Sequence, residues 1–289
     1  MNIQSSFQGT FPGGTLYLVP TPIGNLDDIT LRALHTLKTV DFIAAEDTRN
    51  TKKLMNHFSI EKPLISYHEH NKQAREAGLL EKLLDGKNIA LVSDAGMPAI
   101  SDPGYEMVNA AVEHNLPVVT LPGANAALCA LVGSGLSPRE FYFYGFLPRK
   151  KKDREAELDL LQHIRATLLF YESPHRLKET LKSIGDQLGN RRVSLARELT
   201  KRYEEYIRGT AQEVLQWTEE KQLKGEFCIV VEGGTATAQA ESVWWEDWTL
   251  KEHVAYYMEQ GENSKNAIKQ TAVDRNMPKR DVYQAFHVE

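Results

Sequence analysis

One turn-rich stretch of twelve residues constrains the fold of this chain more than any other feature. Residues 93–104 follow the apolar run Ile89–Val92 and contain two glycines, two prolines, two aspartates and two serines. Pro98 and Pro103 exclude an uninterrupted helix, and the composition does not continue a strand. We therefore expect an ordered loop at the carboxyl end of a buried strand, where open α/β sheets bind their ligands. A long surface loop without a ligand is the alternative that the composition leaves open.

Short apolar runs alternate with helical patterns on both sides of this loop, which is typical of α/β folds. In the first half, strands are predicted at residues 16–19, 42–45, 89–92 and 118–121. Helices are predicted at residues 31–39, 49–58 and 105–114, and a further helix is predicted to end at about residue 84. In the second half, strands are predicted at residues 141–146, 168–171, 193–196 and 227–231, and helices at 124–132 and 211–221. Ser173 and Pro174 are expected to begin a further helix. The first half predicts a parallel sheet with flanking helices, and the second half another α/β unit.

Changes in composition suggest where these units end. We predict a flexible tail over residues 1–14, α/β domains over 15–123 and 124–234, a linker over 235–248 and a helical unit over 249–289. The linker prediction rests on the small and polar stretch 233–240. Trp244, Trp245 and Trp248 are expected to be packing anchors for the short helices that follow.

Composition narrows the class of protein. The chain has 289 residues and a formal net charge of −5, which argues against broad, non-specific nucleic-acid binding but leaves room for a local basic patch. Cys129 and Cys228 lie in separate apolar runs and are expected to be buried free thiols. The polar start of the chain and the lack of a long apolar run predict a cytoplasmic protein with no membrane partner.

Several common site motifs are missing from the sequence. Neither a G-x-x-x-x-G-K-[ST] loop nor a G-x-G-x-x-G after a strand occurs, which disfavours P-loop and standard dinucleotide domains. There is also no G-x-S-x-G motif. His68 and His70 have the spacing of a strand-borne metal pair, but with no obvious further ligand nearby we expect no metal site.

Eight ordered blocks resemble one family. They include Val-Pro-Thr-Pro-Ile-Gly-Asn-Leu at 19–26, Ala-Glu-Asp-Thr-Arg at 45–49 and Phe-Tyr-Glu-Ser-Pro-His-Arg at 170–176, and the others lie at 93–104, 121–123, 145–148, 196–201 and 225–226. Together they resemble the ribosomal RNA branch of the tetrapyrrole (corrin/porphyrin) methylase family, and the match spans about residues 15–234. The resemblance implies two α/β domains with S-adenosylmethionine in the cleft between them, and a homodimer. It also implies 2′-O-methylation of a cytidine ribose in the decoding region of 16S rRNA, so that the partner is 16S rRNA or the small ribosomal subunit.

The resemblance also implies which residues contact the cofactor. The expected set is Pro22, Ile23, Gly24, Asp94, Ala95, Gly96, Met97, Asn125, Ala126, Tyr171, Ala196 and Arg197. Nearly all of them follow strand ends and mix apolar walls with a few acceptors, as a small-molecule site requires. Within the loop, residues 94–97 are expected to face the cofactor, and Asp102 is expected to cap the next helix.

A ribose hydroxyl is a poor nucleophile until it loses its proton, so a base is expected. The candidates are Glu46, Asp47, Glu172 and Glu198, with Arg49, Arg197 or Lys201 as electrostatic partners. We favour Glu46, Asp47 and Arg49 because their block lies in the first domain, opposite the expected cofactor loops. For each carboxylate, a capping or ion-pair role is the alternative.

Basic side chains are expected to contact RNA phosphates. The main candidates are Arg149, Lys150, Lys151 and Lys152, joined by Arg154 and by Lys265, Lys269, Lys279 and Arg280 of the tail. A solvated charged surface is the alternative for both groups.

Two other functions remain open at this point. One is a tetrapyrrole C-methyltransferase, and the other is an RNA- or nucleotide-binding module without turnover. The basic run and the blocks at 19–26 and 45–49 favour the RNA methyltransferase.

Overall fold

The computed structural model describes residues 3–6, 13–69, 71–234, 245, 248–275 and 277–287. The chain divides into two compact units, Met1–Gly234 and Thr235–Glu289. Most of the predicted tail and most of the predicted linker lie outside the described residues, so those two predictions stay untested. Within the described ranges, every helix is too short or too polar to cross a membrane.

The first α/β domain contains a parallel sheet of five strands, in the order β3-β2-β4-β1-β5. Its strands are β1 (Leu16–Leu18), β2 (Phe42–Ala45), β3 (Leu64–Ser66), β4 (Ile89–Val92) and β5 (Val118–Thr120). Its helices are α1 (Leu31–Thr39), α2 (Thr48–His57), α3 (Lys72–Leu84) and α4 (Tyr105–Glu113), with a 3-10 turn at Leu26–Asp28. The predicted parallel sheet is confirmed.

Separate apolar clusters cover the two faces of this sheet. Ile43 and Val92 pack with Leu37 of α1 on one face, whereas Leu91 packs with Met107 of α4 on the other. All four residues of the central strand β4 are buried. Burial on both faces explains why the strands read as continuous apolar runs rather than alternating ones.

The second α/β domain contains a mixed sheet in the order β6-β7-β10-β8-β9. Its strands are β6 (Phe141–Phe146), β7 (Thr167–Glu172), β8 (Arg192–Arg197), β9 (Glu205–Thr210) and β10 (Phe227–Val231). Its helices are α5 (Ala126–Ser134), α6 (Lys151–Leu161), α7 (Leu177–Leu188) and α8 (Ala211–Glu219). Strand β10 runs antiparallel to both β7 and β8, and β9 is antiparallel to β8. The strand β9 was not predicted from the sequence.

Helices cover both faces of the second sheet as well. Leu158 of α6, Leu181 of α7 and Val214 of α8 pack on one face. Ala127 and Leu131 of α5 pack on the other face, which is the face nearer the loops of the first domain. Helix α5 therefore links the second sheet to the loop that follows β5.

Helix α7 and one cysteine differ from the predictions. The segment from Ser173 to Arg176 forms a turn in which the backbone N–H groups of Arg176 and Leu177 donate to Ser173 O, and α7 begins only at Leu177. Ser173 is therefore not its N-cap. Cys228 is buried as expected, but Cys129 is exposed on α5, so the prediction of two buried thiols was wrong for Cys129.

Within its described residues, the unit Thr235–Glu289 contains the helices α9 (Leu250–Glu259), α10 (Ser264–Asp274) and α11 (Lys279–His287). Thr249 and Glu252 form a capping box at the start of α9. Trp245 stacks on the buried His253 ring at 5.2 Å and Trp248 meets that ring edge-on at 6.5 Å. The packing role predicted for these two tryptophans is confirmed, and Trp244 lies outside the described residues.

Candidate functional site

Two loops at the carboxyl edge of the first sheet are joined by a pair of backbone hydrogen bonds. Thr21 N donates to Gly96 O at 3.0 Å, and Gly96 N donates to Thr21 O at 2.9 Å. The buried Ser93 adds an acceptor for the Thr21 hydroxyl and donates its own hydroxyl to Gly96 O. The loop after β1 and the loop after β4 therefore form one rigid element.

Gly96 is one of the positions at which these loops require glycine. Its φ of +82° lies in the left-handed region, and an added Cβ would lie 3.2 Å from Ile23 Cγ2. The same Cβ would lie 3.5 Å from the backbone oxygen of Ala124, in the loop after β5. Three strand-end loops thus meet at Gly96, which is the convergence predicted for a parallel sheet.

The amino end of α5 contributes to this place from the second domain. Asn125 is the N-cap of α5, and its side-chain oxygen accepts from Leu128 N at 3.0 Å. The Tyr171 hydroxyl accepts from Ala127 N at 3.2 Å. Of the expected cofactor residues, Ile23, Ala126, Tyr171 and Ala196 share one apolar cluster.

The block after β1 also reaches the second domain. Asn25 N donates to the Thr200 hydroxyl at 3.1 Å, and a Cβ on Gly24 would lie only 2.3 Å from Lys201 Cγ. Pro22, Ile23 and Gly24 therefore lie where the two α/β domains meet. Lys201 itself is held by Glu198 at 2.9 Å and Glu226 at 2.8 Å.

A group of carboxylates lies at the ends of β2 and β4. Burial and the nearby negative charges of Asp102, Asp94 and Asp47 together raise the pKa of Glu46 from 4.5 to about 6, against a hydrogen bond from Asp94 N that lowers it. A pKa near neutrality is what a general base requires, so Glu46 is suited to that role.

Asp47 has a different role from its neighbour. It is the N-cap of α2 and accepts from Arg49 N at 2.8 Å, and the Arg49 guanidinium donates to both of its oxygens. These hydrogen bonds lower the pKa of Asp47 to about 2. A carboxylate with so low a pKa is a weak base, so the capping alternative describes Asp47 and its partner Arg49 better than catalysis does.

Asp94 joins the two strand-end segments. Its carboxylate accepts from Asp47 N and from the Asn50 side-chain amide, both at 3.1 Å, and the side chain remains exposed. The residues that follow differ in exposure, because Ala95 is exposed, Gly96 is buried and Met97 is half-buried. Asp94 and Ala95 are therefore open to a ligand, and Met97 is partly so.

The expectation that Asp102 caps the next helix was wrong. Gly104 is the N-cap of α4 and Asp102 makes no cap bond, because two residues separate it from the first helical residue. Instead, burial raises the pKa of Asp102, against a hydrogen bond from the Ser93 hydroxyl, and its charge acts on Glu46. The spacing to Tyr105 was the sequence signal that could have placed Asp102 in the site.

The other two carboxylate candidates are engaged in structural contacts. Glu172 is buried and accepts from Ser173 N and the Thr180 hydroxyl, and it lies 3.3 Å from Arg176. Glu198 pairs with Lys201 and accepts from Glu226 N. These contacts correspond to the ion-pair and hydrogen-bonding alternative for both residues.

The side chain of Arg197, one of the predicted cofactor residues, forms its hydrogen bonds within the second domain. Its guanidinium donates to Lys224 O at 2.8 Å and to Glu205 at 3.1 Å, both within the second domain. Arg197 therefore ties the end of β8 to its neighbours.

The predicted RNA-contacting run begins just after β6. Arg149, Lys150, Lys151 and Lys152 are all exposed, and Lys151 lies 3.6 Å from Glu155. Arg154 is different, because it is buried and donates to the Ser183 hydroxyl and to Arg149 O. The expectation that Arg154 contacts RNA was wrong, and its guanidinium instead supports the backbone of the run.

No group of three His, Cys, Asp or Glu side chains that could hold a metal ion occurs within the described part of the chain. His70, one of the two histidines considered as a metal pair, lies outside that part.

Comparison with known proteins gives one family and close relatives. A family model for tetrapyrrole (corrin/porphyrin) methylases matches residues 15–215. A ribosomal RNA small subunit methyltransferase I from Bacillus subtilis (strain 168) is 57% identical over 287 residues, which cover 99% of this chain and 98% of the relative. A protein of the same name from Halalkalibacterium halodurans is 55% identical and covers 100% of both chains.

Solved structures share the fold at lower identity. A uroporphyrin-III C-methyl transferase from Thermus thermophilus, complexed with S-adenyl homocysteine, is 19% identical and has a TM-score of 0.55. The similarity covers 76% of this chain and 97% of that one. It supports the two-domain α/β architecture.

Proposed function

Because the chain belongs to the tetrapyrrole (corrin/porphyrin) methylase family, we propose that it is an S-adenosylmethionine-dependent rRNA methyltransferase. Its proposed target is the ribose 2′-hydroxyl of a cytidine in the decoding region of 16S rRNA. The observation that carries this proposal is the identity of 57% over nearly the whole chain to a protein named ribosomal RNA small subunit methyltransferase I. The choice of a cytidine 2′-hydroxyl in the decoding region is proposed from the resemblance of the eight sequence blocks to the ribosomal RNA branch of the family.

The residues of the site fit S-adenosylmethionine. At Gly96 a Cβ would lie 3.2 Å from Ile23 Cγ2, so glycine lets the strand-end loops that carry the proposed site pack closely together. Ile23, Met97 and Tyr171 offer apolar walls, and the exposed Asp94 offers an acceptor. The amino end of α5 suits a carboxylate, and the acidic group around Glu46 suits a positive charge. We propose Pro22–Gly24, residues 94–97, Asn125, Ala126, Tyr171 and Ala196 as the cofactor-contacting set, as the family resemblance implies.

S-adenosylmethionine supplies a methyl group on a positively charged sulfur, so the bond to be broken is already activated. The chain's own task is to hold the ribose hydroxyl in line and to remove its proton. Glu46 is the proposed acceptor of that proton, because its pKa of about 6 leaves it ionised at neutral pH while retaining affinity for a proton. Tyr171 is unsuited to this role, since burial raises its pKa to about 12.

Arg49 and Asp47 support Glu46 rather than replace it. Asp47 caps α2, and Asp94 accepts from the backbone N–H of Asp47, so together they fix the backbone next to Glu46. The Arg49 guanidinium is exposed beyond its pairing with Asp47 and can also meet an RNA phosphate.

Two partner proposals accompany the reaction. Arg149, Lys150, Lys151 and Lys152 are proposed to contact phosphates of 16S rRNA or of the small subunit. A homodimer is proposed from the family resemblance, and sedimentation of the purified chain will give its mass.

The function is tested by supplying the purified protein with labelled S-adenosylmethionine and either free 16S rRNA or small subunits. Digestion to nucleosides and mass spectrometry should yield 2′-O-methylcytidine, and resistance of one linkage to alkaline cleavage should map it to the decoding region. Methylation of a base, or of a tetrapyrrole only, would contradict the proposal. Cofactor binding by calorimetry without any methyl transfer would point to a binding module without turnover.

A further inference from the structure

Strand β6 contains an irregularity between Phe143 and Gly145. In its parallel pairing with β7, Phe143 lies opposite Leu169, whereas Gly145 lies opposite Phe170 and Phe146 opposite Tyr171. Tyr144 is therefore an extra residue in the ladder, and Gly145 has a φ of +83°. A β-bulge of this kind changes the direction of the side chains that follow it.

The bulge decides which face of the sheet Phe146 occupies. In a regular strand of the same six residues, side-chain alternation would place Phe146 on the same face as Tyr144. Tyr144 packs on Phe170 and the core covered by α6 and α7. With the bulge, Phe146 shares a face with Phe143 and Tyr171. Its ring centroid lies 5.7 Å from that of Tyr171. A large aromatic ring is thus moved from the face covered by α6 and α7 to the face that carries Tyr171.

The surroundings of its neighbours place Phe146 near the proposed site. Its neighbour Tyr171 accepts from Ala127 N at the start of α5 and lies near the charge of Asp102. A Cβ on the adjacent Gly145 would lie 3.7 Å from the Ser101 hydroxyl, in the loop after β4. Downstream, β6 leads within three residues into the exposed Arg149.

Despite these neighbours, residue Phe146 is 56% exposed. An aromatic ring open to solvent at a strand end, between acidic groups and cations, offers a flat apolar surface beside phosphate-binding charges. That combination is how proteins hold single-stranded RNA: bases stack on aromatic rings and cations contact the backbone.

We propose that Phe146 stacks on the base of the cytidine whose ribose is methylated, and so selects an unpaired nucleotide. This inference rests on the proposed function. In this arrangement the base lies against the Phe146 ring, the 2′-hydroxyl of its ribose faces Glu46, and neighbouring phosphates reach Arg149 and Lys150. The bulge at Tyr144 is the feature of the fold that makes the stacking surface available.

The test compares three variants of the full chain. Phe146→Leu keeps apolar bulk but removes the stacking plane, Phe146→Trp keeps the plane, and Phe141→Leu alters a 44% exposed ring at the other end of β6. The KM for an RNA of the decoding region should rise about tenfold in Phe146→Leu, since one stacked base contributes this order of affinity. Phe146→Trp and Phe141→Leu should stay near the wild-type KM.

A second measurement reports stacking directly. The fluorescence of an oligonucleotide that carries pyrrolocytidine at the target position should be quenched on binding to the wild type and to Phe146→Trp. Binding to Phe146→Leu should quench this fluorescence much less. Cofactor affinity, measured by calorimetry, should be unchanged in all variants. If Phe146→Leu behaves like Phe141→Leu, or loses cofactor affinity instead of RNA affinity, the inference is wrong. If the wild type yields no 2′-O-methylcytidine, the proposed function fails, and the quenching experiment still decides whether Phe146 stacks on RNA.

Discussion

Two adjacent carboxylates, Glu46 and Asp47, show how local contacts separate chemically similar side chains. Asp47 turns towards the start of α2 and Arg49, and its pKa falls to about 2. Glu46 is partly buried among Asp94 and Asp102, and its pKa rises to about 6. The sequence alone could place both at the end of β2 but could not distinguish them, because the distinction depends on which one caps α2 and on Asp102, a residue distant in the chain.

Glu46→Gln tests the proposed base. We expect kcat to fall at least about a hundredfold, the usual contribution of general-base catalysis, with cofactor affinity preserved. In the wild type, kcat should rise with pH up to about 6, where Glu46 loses its proton, and then level off. Kinetics across this range with Asp47→Asn as the matched control will check both points. A control as inactive as Glu46→Gln would contradict the division of roles.

The same substitution should make the protein more stable. A carboxyl group whose pKa is raised on folding costs stability once the unfolded chain ionises, so the cost develops between pH 4.5 and about 6 and persists above. Glu46→Gln removes it, which should raise the free energy of unfolding by about 1 kcal/mol above that range, after allowance for the solvent exposure of Glu46. Below pH 4.5 the gain should vanish. Urea unfolding at both ends of the range measures it, and a loss of stability at neutral pH would refute the account.

At the scale of elements, strands could be predicted where burial on both faces of the sheet gives a continuous apolar run. The strands β1, β2, β4 and β5 are short apolar runs, and their parallel order follows from alternation with helices. Strand β9 has no such pattern, because it lies at the edge of its sheet and begins with an exposed Glu205. The antiparallel placement of β10 between β7 and β8 depends on pairing across the chain, which no local pattern records.

Gly145 gives a test of the bulge as an element. Gly145→Ala meets no atom closer than 3.7 Å, so its cost comes from the φ of +83° alone, about 1 kcal/mol of unfolding free energy. The matched control is Gly78→Ala in α3, where an added Cβ has open space. This change should instead stabilise the helix by about 0.5 to 1 kcal/mol. Denaturant unfolding of both variants should give opposite signs, and equal signs would contradict the bulge geometry.

At the scale of the whole molecule, the net charge of the chain has the same sign as the charge of its proposed substrate. The chain carries a net charge of −5, yet the proposed substrate is a polyanion. Binding must therefore depend on local groups such as the exposed run at residues 149–152. The sequence could identify this run because its cations are consecutive, but it could not show that Arg154 turns inward to Ser183.

Replacing Arg149, Lys150, Lys151 and Lys152 by glutamine tests that dependence. The slope of log affinity for RNA against log salt should become shallower by about 2 to 3, since each lost phosphate contact to a single strand removes about 0.7. Lys265→Gln with Lys269→Gln, measured in the same titration, gives the share of the C-terminal unit. An unchanged slope in the fourfold variant would remove the run from the RNA-binding surface.

The bulge in β6 also has an evolutionary consequence. Because β6 is an edge strand of its sheet, paired with β7, the bulge takes up Tyr144 as one extra residue while Phe146 keeps the face that it would have if Phe143 and Gly145 were consecutive. An extra residue in β10, which is paired on both sides, would disturb two ladders at once. On this fold, one codon can therefore be gained or lost at the sheet edge without turning the aromatic side chain of Phe146 away from the site.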